Sequence, residues 1–259
     1  MSIKLEGSET STVTRETRQT SQINMIFAYI DKSLESLMPE EKEDVSKVSL
    51  STYELDNINI REAIHERYDT EIIGKDLFIK YDGGHKTKIH YKLTNSAEMH
   101  NSAWDVNIDM ICVMGGNNFR PDVGIWFRTL TFAQNSRPIA NSCPPPNVWI
   151  EVFYNRDPDR SHALSKIDLI RRQYLTDIEY VGIAIPYAVN PFHQNPNPWI
   201  VTTPATPTPE IPARAPYIIH LWDVNSTPVY YRMDWNEHLV LRCGLTINFT
   251  IVLDIISRP

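Results

Sequence analysis

The chain has no basic excess. Its 25 Lys and Arg residues are outnumbered by 32 Asp and Glu, for a formal net charge of −7. A protein that grips duplex DNA unaided usually shows a basic excess or stripe, so nucleic-acid contact here must come from a local patch or from a partner. Cysteine is scarce: Cys112, Cys143 and Cys243 are odd in number and far apart. They form no CxxC pair, which argues against a cysteine zinc cage or a disulfide framework and favours a reducing compartment, cytosol or nucleus. No apolar run reaches 18 residues, so no helical membrane span is expected. The first residues are polar and lack an apolar h-region, so no signal peptide is expected either. The triplets Asn225-Ser226-Thr227 and Asn248-Phe249-Thr250 then read as chance matches to a glycosylation site.

What is present is enough for a large core: 259 residues, 42% of them apolar. Residues 1–22 are mostly Ser, Thr, Glu and Arg, a composition that predicts a disordered tail. Ile23, Ile26, Phe27, Ile30, Leu34, Leu37 and Met38 recur at spacings of three and four, which predicts an amphipathic helix ended by Pro39. That helix either caps the core or pairs two chains, and an acidic connector follows it; together they make an accessory segment over residues 23–52. Residues 53–259 then form one domain. Its core over residues 53–187 starts with a hairpin turning at Gly74-Lys75. A helix over residues 85–104 follows, with Ile89, Leu93, Ala97 and His100 at helical spacing, and then a strand from Val106 to Met114. Nine of the 18 prolines fall between Pro186 and Pro216, so residues 188–216 read as an extended insertion. Residues 217–259 return to strand-like patterning, with 245–256 expected as the last strand. The predicted class is mixed α/β: a central mixed sheet flanked by helices.

Three residues carry the chemistry. Asp122 opens the apolar run Val123-Gly124-Ile125-Trp126-Phe127. Glu151 lies inside Val148-Trp149-Ile150-Glu151-Val152-Phe153, where alternation puts it on one face with Trp149 and Phe153. Lys166 follows on a helix expected to start with Asp157 as N-cap and Pro158 at its first position. A carboxylate between two large apolar side chains is costly to bury without a partner. Together these residues suggest a metal-dependent hydrolytic site. Each also fits a plainer role: Asp122 a turn residue, Glu151 a sheet-edge acid in water, Lys166 a solvated helix residue.

The order of these elements resembles the core of the PD-(D/E)XK nuclease superfamily, and more narrowly the Uma-type restriction endonuclease family. The matching features are the hairpin from Arg67-Tyr68-Asp69 to Ile79, His85 opening a helix, and Arg120-Pro121-Asp122-Val123. They continue with Pro145-Pro146 leading into Trp149-Ile150-Glu151-Val152, then Lys166 with Tyr174, and Glu179-Tyr180-Val181. The superfamily's usual lysine position, two residues past the acid, is Phe153 here, and Lys166 stands in for it. The resemblance implies a restriction-endonuclease-like fold and hydrolysis of DNA by Asp122, Glu151 and Lys166. It also implies Mg²⁺ or Mn²⁺ on Asp122, Glu151 and the Val152 carbonyl, an all-oxygen set suited to those ions. DNA is the implied partner, and a homodimer is compatible with it. Glu71 and His85 match auxiliary positions, though Glu71 also fits a solvent-facing residue and His85 a helix cap. Arg156, Arg160, Arg171 and Arg172 surround the site in sequence and are candidate phosphate contacts, Arg156 and Arg160 foremost, and all four equally fit an ordinary helix surface. His162 reads as a surface residue. The alternatives are a nuclease fold without catalysis, acting as a binding or scaffold protein, and an unrelated mixed α/β domain in which the three residues never meet.

Overall fold

Gly74 adopts φ +63, a left-handed conformation open to glycine at little cost, and it closes the hairpin that begins the core. In this computed structural model, residues 9–36, 45–51, 55–173, 177–185, 217–221, 229–232 and 238–256 are described. The chain opens with α1 (Glu9–Glu35), β1 (Val45–Ser49) and α2 (Ile58–Arg67), followed by the hairpin strands β2 (Thr70–Ile73) and β3 (Asp76–Lys80). Then come α3 (Gly84–His100), β4 (Asp105–Ile108), β5 (Cys112–Met114), β6 (Asn117–Phe119) and β7 (Val123–Trp126). The short α4 (Phe132–Ser136) precedes β8 (Val148–Tyr154), α5 (Asp159–Gln173) and β9 (Glu179–Ile185). β10 (Tyr217–Leu221), β11 (Val229–Arg232), β12 (His238–Val240), β13 (Thr246–Asn248) and α6 (Phe249–Ile256) complete the described elements. Among the described residues no helix is long and apolar enough to cross a membrane.

The fold is mixed α/β. A six-stranded sheet runs β11-β10-β9-β8-β7-β4, and a five-stranded sheet runs β1-β3-β2-β6-β5. β8 pairs antiparallel with β7 and parallel with β9, the parallel crossover being made by α5. Alternation along β8 sorts its side chains as the sequence predicts. Val148, Ile150 and Val152 pack with Ile89 and Leu93 of α3 and Val252 of α6. Trp149 and Phe153 pack with Ala163, Ile167 and Ile170 of α5 and with Phe119. Each such side chain, fully buried, contributes roughly 1.5–3 kcal/mol. A separate cluster joins Ile26 and Ile30 of α1, Ile60 and Ile64 of α2, and Leu77 and Ile79 of β3.

Several elements differ from expectation. The helix of the N-terminal segment starts at Glu9 rather than near Ile23, since each residue added to a formed helix gains a hydrogen bond without a new nucleus. β1 and α2 occupy stretches whose polar residues hide their periodicity. The strand expected from Val106 to Met114 divides at Asp109 (φ +53), so β4 joins the large sheet and β5 the small one. Residues 249–256 are a helix, not a strand: Asn248 Oδ1 accepts from the Thr250 N–H at 2.9 Å, and Phe249, Val252, Ile255 and Ile256 bury at helical spacing. A continuous apolar run carries no period that separates the two states. Helix α5 starts at Asp159, one residue beyond Pro158. The expected connector at 40–44, the proline-rich insertion, Tyr174 and residues 1–8 of the tail lie outside the described residues.

Candidate functional site

Strands β7 and β8 pair Val123 with Ile150. Continuing that register by one residue brings Asp122 opposite Glu151. Both are buried, at 1% and 2% exposure. The Val152 N–H donates to Asp122 Oδ2 at 2.6 Å, and the Lys80 ammonium, at the end of β3, forms an ion pair with Asp122 Oδ1. Burial alone would push Asp122 up, but Lys80 and then His90 hold its carboxyl well below the usual range. Lys80 moves the other way: burial pulls it down, and Asp122, Glu151 and Glu71 hold it well above its ordinary value. It therefore stays an ammonium among three acids.

On the α5 side, Lys166 Nζ lies 2.7 Å from Glu151 Oε1 and donates to Glu71 Oε1 at 2.9 Å and to the Arg120 carbonyl at 3.2 Å. The Trp149 indole N–H donates to Glu151 Oε1 at 2.6 Å. Glu71, fully buried, also accepts from the Arg120 N–H at 2.6 Å, and its Oε2 shares a 2.6 Å hydrogen bond with His162 Nε2. The burial of Glu71 favours its neutral form, but Lys166 and the His162 hydrogen bond outweigh that and lower it. Glu151 is pushed up to about 7 by burial, with Lys166 opposing and the Asp122 charge adding to the rise. Burial lowers Lys166, yet Glu151 and Glu71 leave it raised. His162 is a correction to the surface residue expected: its side chain is 8% exposed and stacks on Phe78 at 4.6 Å between centroids. Glu71, too, lies at the centre of the ion pairs rather than in solvent.

On the α3 side, Lys86 Nζ donates to Asp159 Oδ2 at 3.0 Å and lies 3.3 Å from Asp82 Oδ1. Asp159 Oδ2 also accepts from the Tyr154 N–H at 2.7 Å, which ties the start of α5 to the end of β8. His90 lies 3.6 Å by Nδ1 from Asp82 Oδ2 and 3.6 Å by Nε2 from Asp122 Oδ2. Asp109 is pushed up to about 6 by burial, with Lys80 opposing and the Asp122 and Asp82 charges adding.

Asp122, Glu151 and Lys166 stand out in the sequence, and the structure gathers all three around Lys80. Lys80, Lys86, Asp82, His90, Asp109 and Asp159 join them only in the folded chain. Lys86 and His90 do carry a signal: they share the stripe of α3 that buries Ile89 and Leu93, where a charged side chain implies an internal partner. His85 is half-buried in the first turn of α3, while Lys86 and His90 reach the acids. Arg160 is partly exposed and pairs with Asp157 at 2.8 Å, and Arg156 is half-buried just before α5. An open groove of about 490 Å³ borders the cluster, lined by Lys47 and Phe78 on one wall and His162, Ser165 and Lys166 on the other.

The donor chemistry fits a divalent cation. Among the described residues, six carboxylates (Glu71, Asp82, Asp109, Asp122, Glu151 and Asp159) face three ammonium groups (Lys80, Lys86 and Lys166) in this cluster; His90 Nε2 is buried without a hydrogen-bond partner, and Asp82 Oδ1 has only its ion pair with Lys86.

No family model matches this chain, and no curated protein does. Among solved structures, the chain is similar to a candidate nuclease belonging to DUF820 from Anabaena variabilis. The two share 11% identity over 72% of this chain and 90% of that chain, with a TM-score of 0.45. A likeness at this level establishes neither a family nor an activity.

Proposed function

We propose that the protein is a metal-dependent endonuclease that hydrolyses DNA phosphodiester bonds at Asp122, Glu151 and Lys166. The observation that carries this reading is the meeting of two buried carboxylates from adjacent strands with the Lys166 ammonium beside an open groove. Asp122, Glu151 and the Val152 carbonyl would hold Mg²⁺ or Mn²⁺, whose Lewis acidity supplies an acidified water and offsets charge on the phosphate.

The chain's own residues do the rest. Lys166, its ammonium held by Glu151, Glu71 and the Arg120 carbonyl, would offset charge on the phosphate as a fixed positive charge rather than as a direct donor. The Val152 N–H holds the Asp122 carboxylate in place. His162, oriented by Glu71, stands on the groove wall. Arg156 and Arg160 offer phosphate contacts just before α5 and in its first turn, and His85 and Glu71 have supporting roles. Incubation with DNA and Mg²⁺ or Mn²⁺ beside an Asp122→Ala control tests the reading. Cleavage dependent on Asp122 is expected; equal cleavage in both proteins, or none with any metal, rejects it.

One observation favours a second reading, a catalytically silent binding or scaffold protein: Lys80 already neutralises Asp122, and Lys166 already neutralises Glu151. Calorimetric titration with Mn²⁺ separates the two, because a site lost in Glu151→Ala contradicts the silent form.

A further inference from the structure

The α3 side of the cluster holds ligand-type groups that hydrolysis at Asp122 and Glu151 leaves unused. They come from three segments: Asp82 between β3 and α3, His90 on α3, and Asp109 at the break between β4 and β5. Each places one potential ligand atom within 4.8 Å of the others. His90 is 1% exposed; among the described residues its Nε2 has no hydrogen-bond partner, and Asp82 Oδ1 has none beyond its 3.3 Å ion pair with Lys86. An imidazole excluded from water should be hydrogen-bonded, yet both of its nitrogens stop 3.6 Å from a carboxylate oxygen.

That spacing suits a shared ion. Donors bound at about 2.0–2.2 Å to one cation lie roughly 3–4 Å apart. Such an ion beside His90 Nδ1 would fix the proton on Nε2 and aim it at Asp122 Oδ2, the carboxylate–histidine–metal arrangement that orients a ligating imidazole. The mixed nitrogen and oxygen donors select the ion class, since Mg²⁺ prefers oxygen and keeps its water, whereas imidazole suits first-row transition ions. Lys86, 3.3 Å from Asp82 Oδ1, would still neutralise Asp82 and Asp159 in part, so the ion has both charge and ligands to complete.

We propose that Asp82, His90 and Asp109 form a site for a divalent ion of the Zn²⁺ type, with His90 Nδ1 as the nitrogen ligand and Asp122 orienting the ring. The site adjoins the pair formed by Asp122 and Glu151 through the His90 ring, 3.6 Å from Asp122, takes none of its ligands from that pair, and does not depend on cleavage. The test is calorimetric titration of the chelator-stripped full-length chain with Zn²⁺ in excess Mg²⁺, so that all-oxygen sites are masked.

One bound equivalent is expected. His90→Ala and Asp109→Asn should weaken it by at least about tenfold, the lower range seen for disturbing the surroundings of a metal, and Glu151→Gln should retain it. Imidazole nitrogen spectra of the unmutated protein give a second reading in case a variant misfolds: Zn²⁺ should shift the His90 Nδ1 resonance. The proposal is overturned by no binding to the wild-type chain, by unchanged binding in a folded His90→Ala, by an unmoved His90 resonance, or by loss of the equivalent in Glu151→Gln. Because no DNA is present, a failure of the nuclease reading leaves this result intact.

Discussion

The two sides of the buried cluster handle charge differently. On the α5 side every acid has several direct partners: Glu71 is met by Lys166, His162 and a backbone N–H, and Glu151 by Lys166 and the Trp149 indole. On the α3 side the contacts around His90 are long, and among the described residues its Nε2 has no hydrogen-bond partner while Asp82 Oδ1 has only a 3.3 Å ion pair with Lys86. Burying charge is tolerable when partners replace water and costly when they do not. The first side is therefore a closed structural network around Lys166, and the second is the side to which the proposed ion belongs.

The sharpest way to break this contrast is Lys166→Met. It strands Glu71 and Glu151, and removing one partner of a buried pair costs about 3–5 kcal/mol. Urea denaturation should show a loss of that size; a loss under about 1 kcal/mol would mean the acids find water and the α5 side is not closed. His162→Phe comes next. It keeps the ring stack on Phe78 but removes a partner of Glu71, and hydrogen bonds to charged groups are worth about 1.5–3 kcal/mol, measurable in the same unfolding experiment.

Glu151 gives a pH signature. Its carboxyl is raised from an ordinary 4.5 to about 7, so the folded chain binds the proton more tightly than the unfolded one. The associated stability is present in full below about pH 4.5 and is lost as pH rises through about 7. Glu151→Gln should flatten that decline, and an unchanged slope in stability against pH would place the titration elsewhere. The smallest effect is expected for Arg160→Ala, whose partly exposed pair with Asp157 contributes no more than about 1 kcal/mol.

The contrast also explains what was legible in the sequence. Strand β8 shows its two faces through alternation, the β2–β3 hairpin shows its turn through Gly74, and α3 shows its apolar stripe. These are local signals. Asp122, Glu151 and Lys166 stand out because each opens, interrupts or closely follows an apolar pattern. Lys80 does not, because its role depends on Asp122 lying 42 residues away. Asp109 is invisible for a similar reason: the change of sheet that places it follows from the pairing of β5 with β6 and of β4 with β7. The helix at residues 249–256 escapes detection because Phe-Thr-Ile-Val-Leu-Asp-Ile-Ile satisfies either period, and the Asn248 cap with packing against α3 decides it.

The most direct test of the account is DNA cleavage in Mn²⁺ by wild type, Asp122→Ala and Glu151→Gln at equal folded concentration. The account predicts cleavage by the wild type and a rate at least about 10²-fold lower in each variant, the scale of losing one essential electrostatic contributor. Cleavage that survives both substitutions, or a wild type that binds Mn²⁺ yet cuts no DNA substrate, would contradict it.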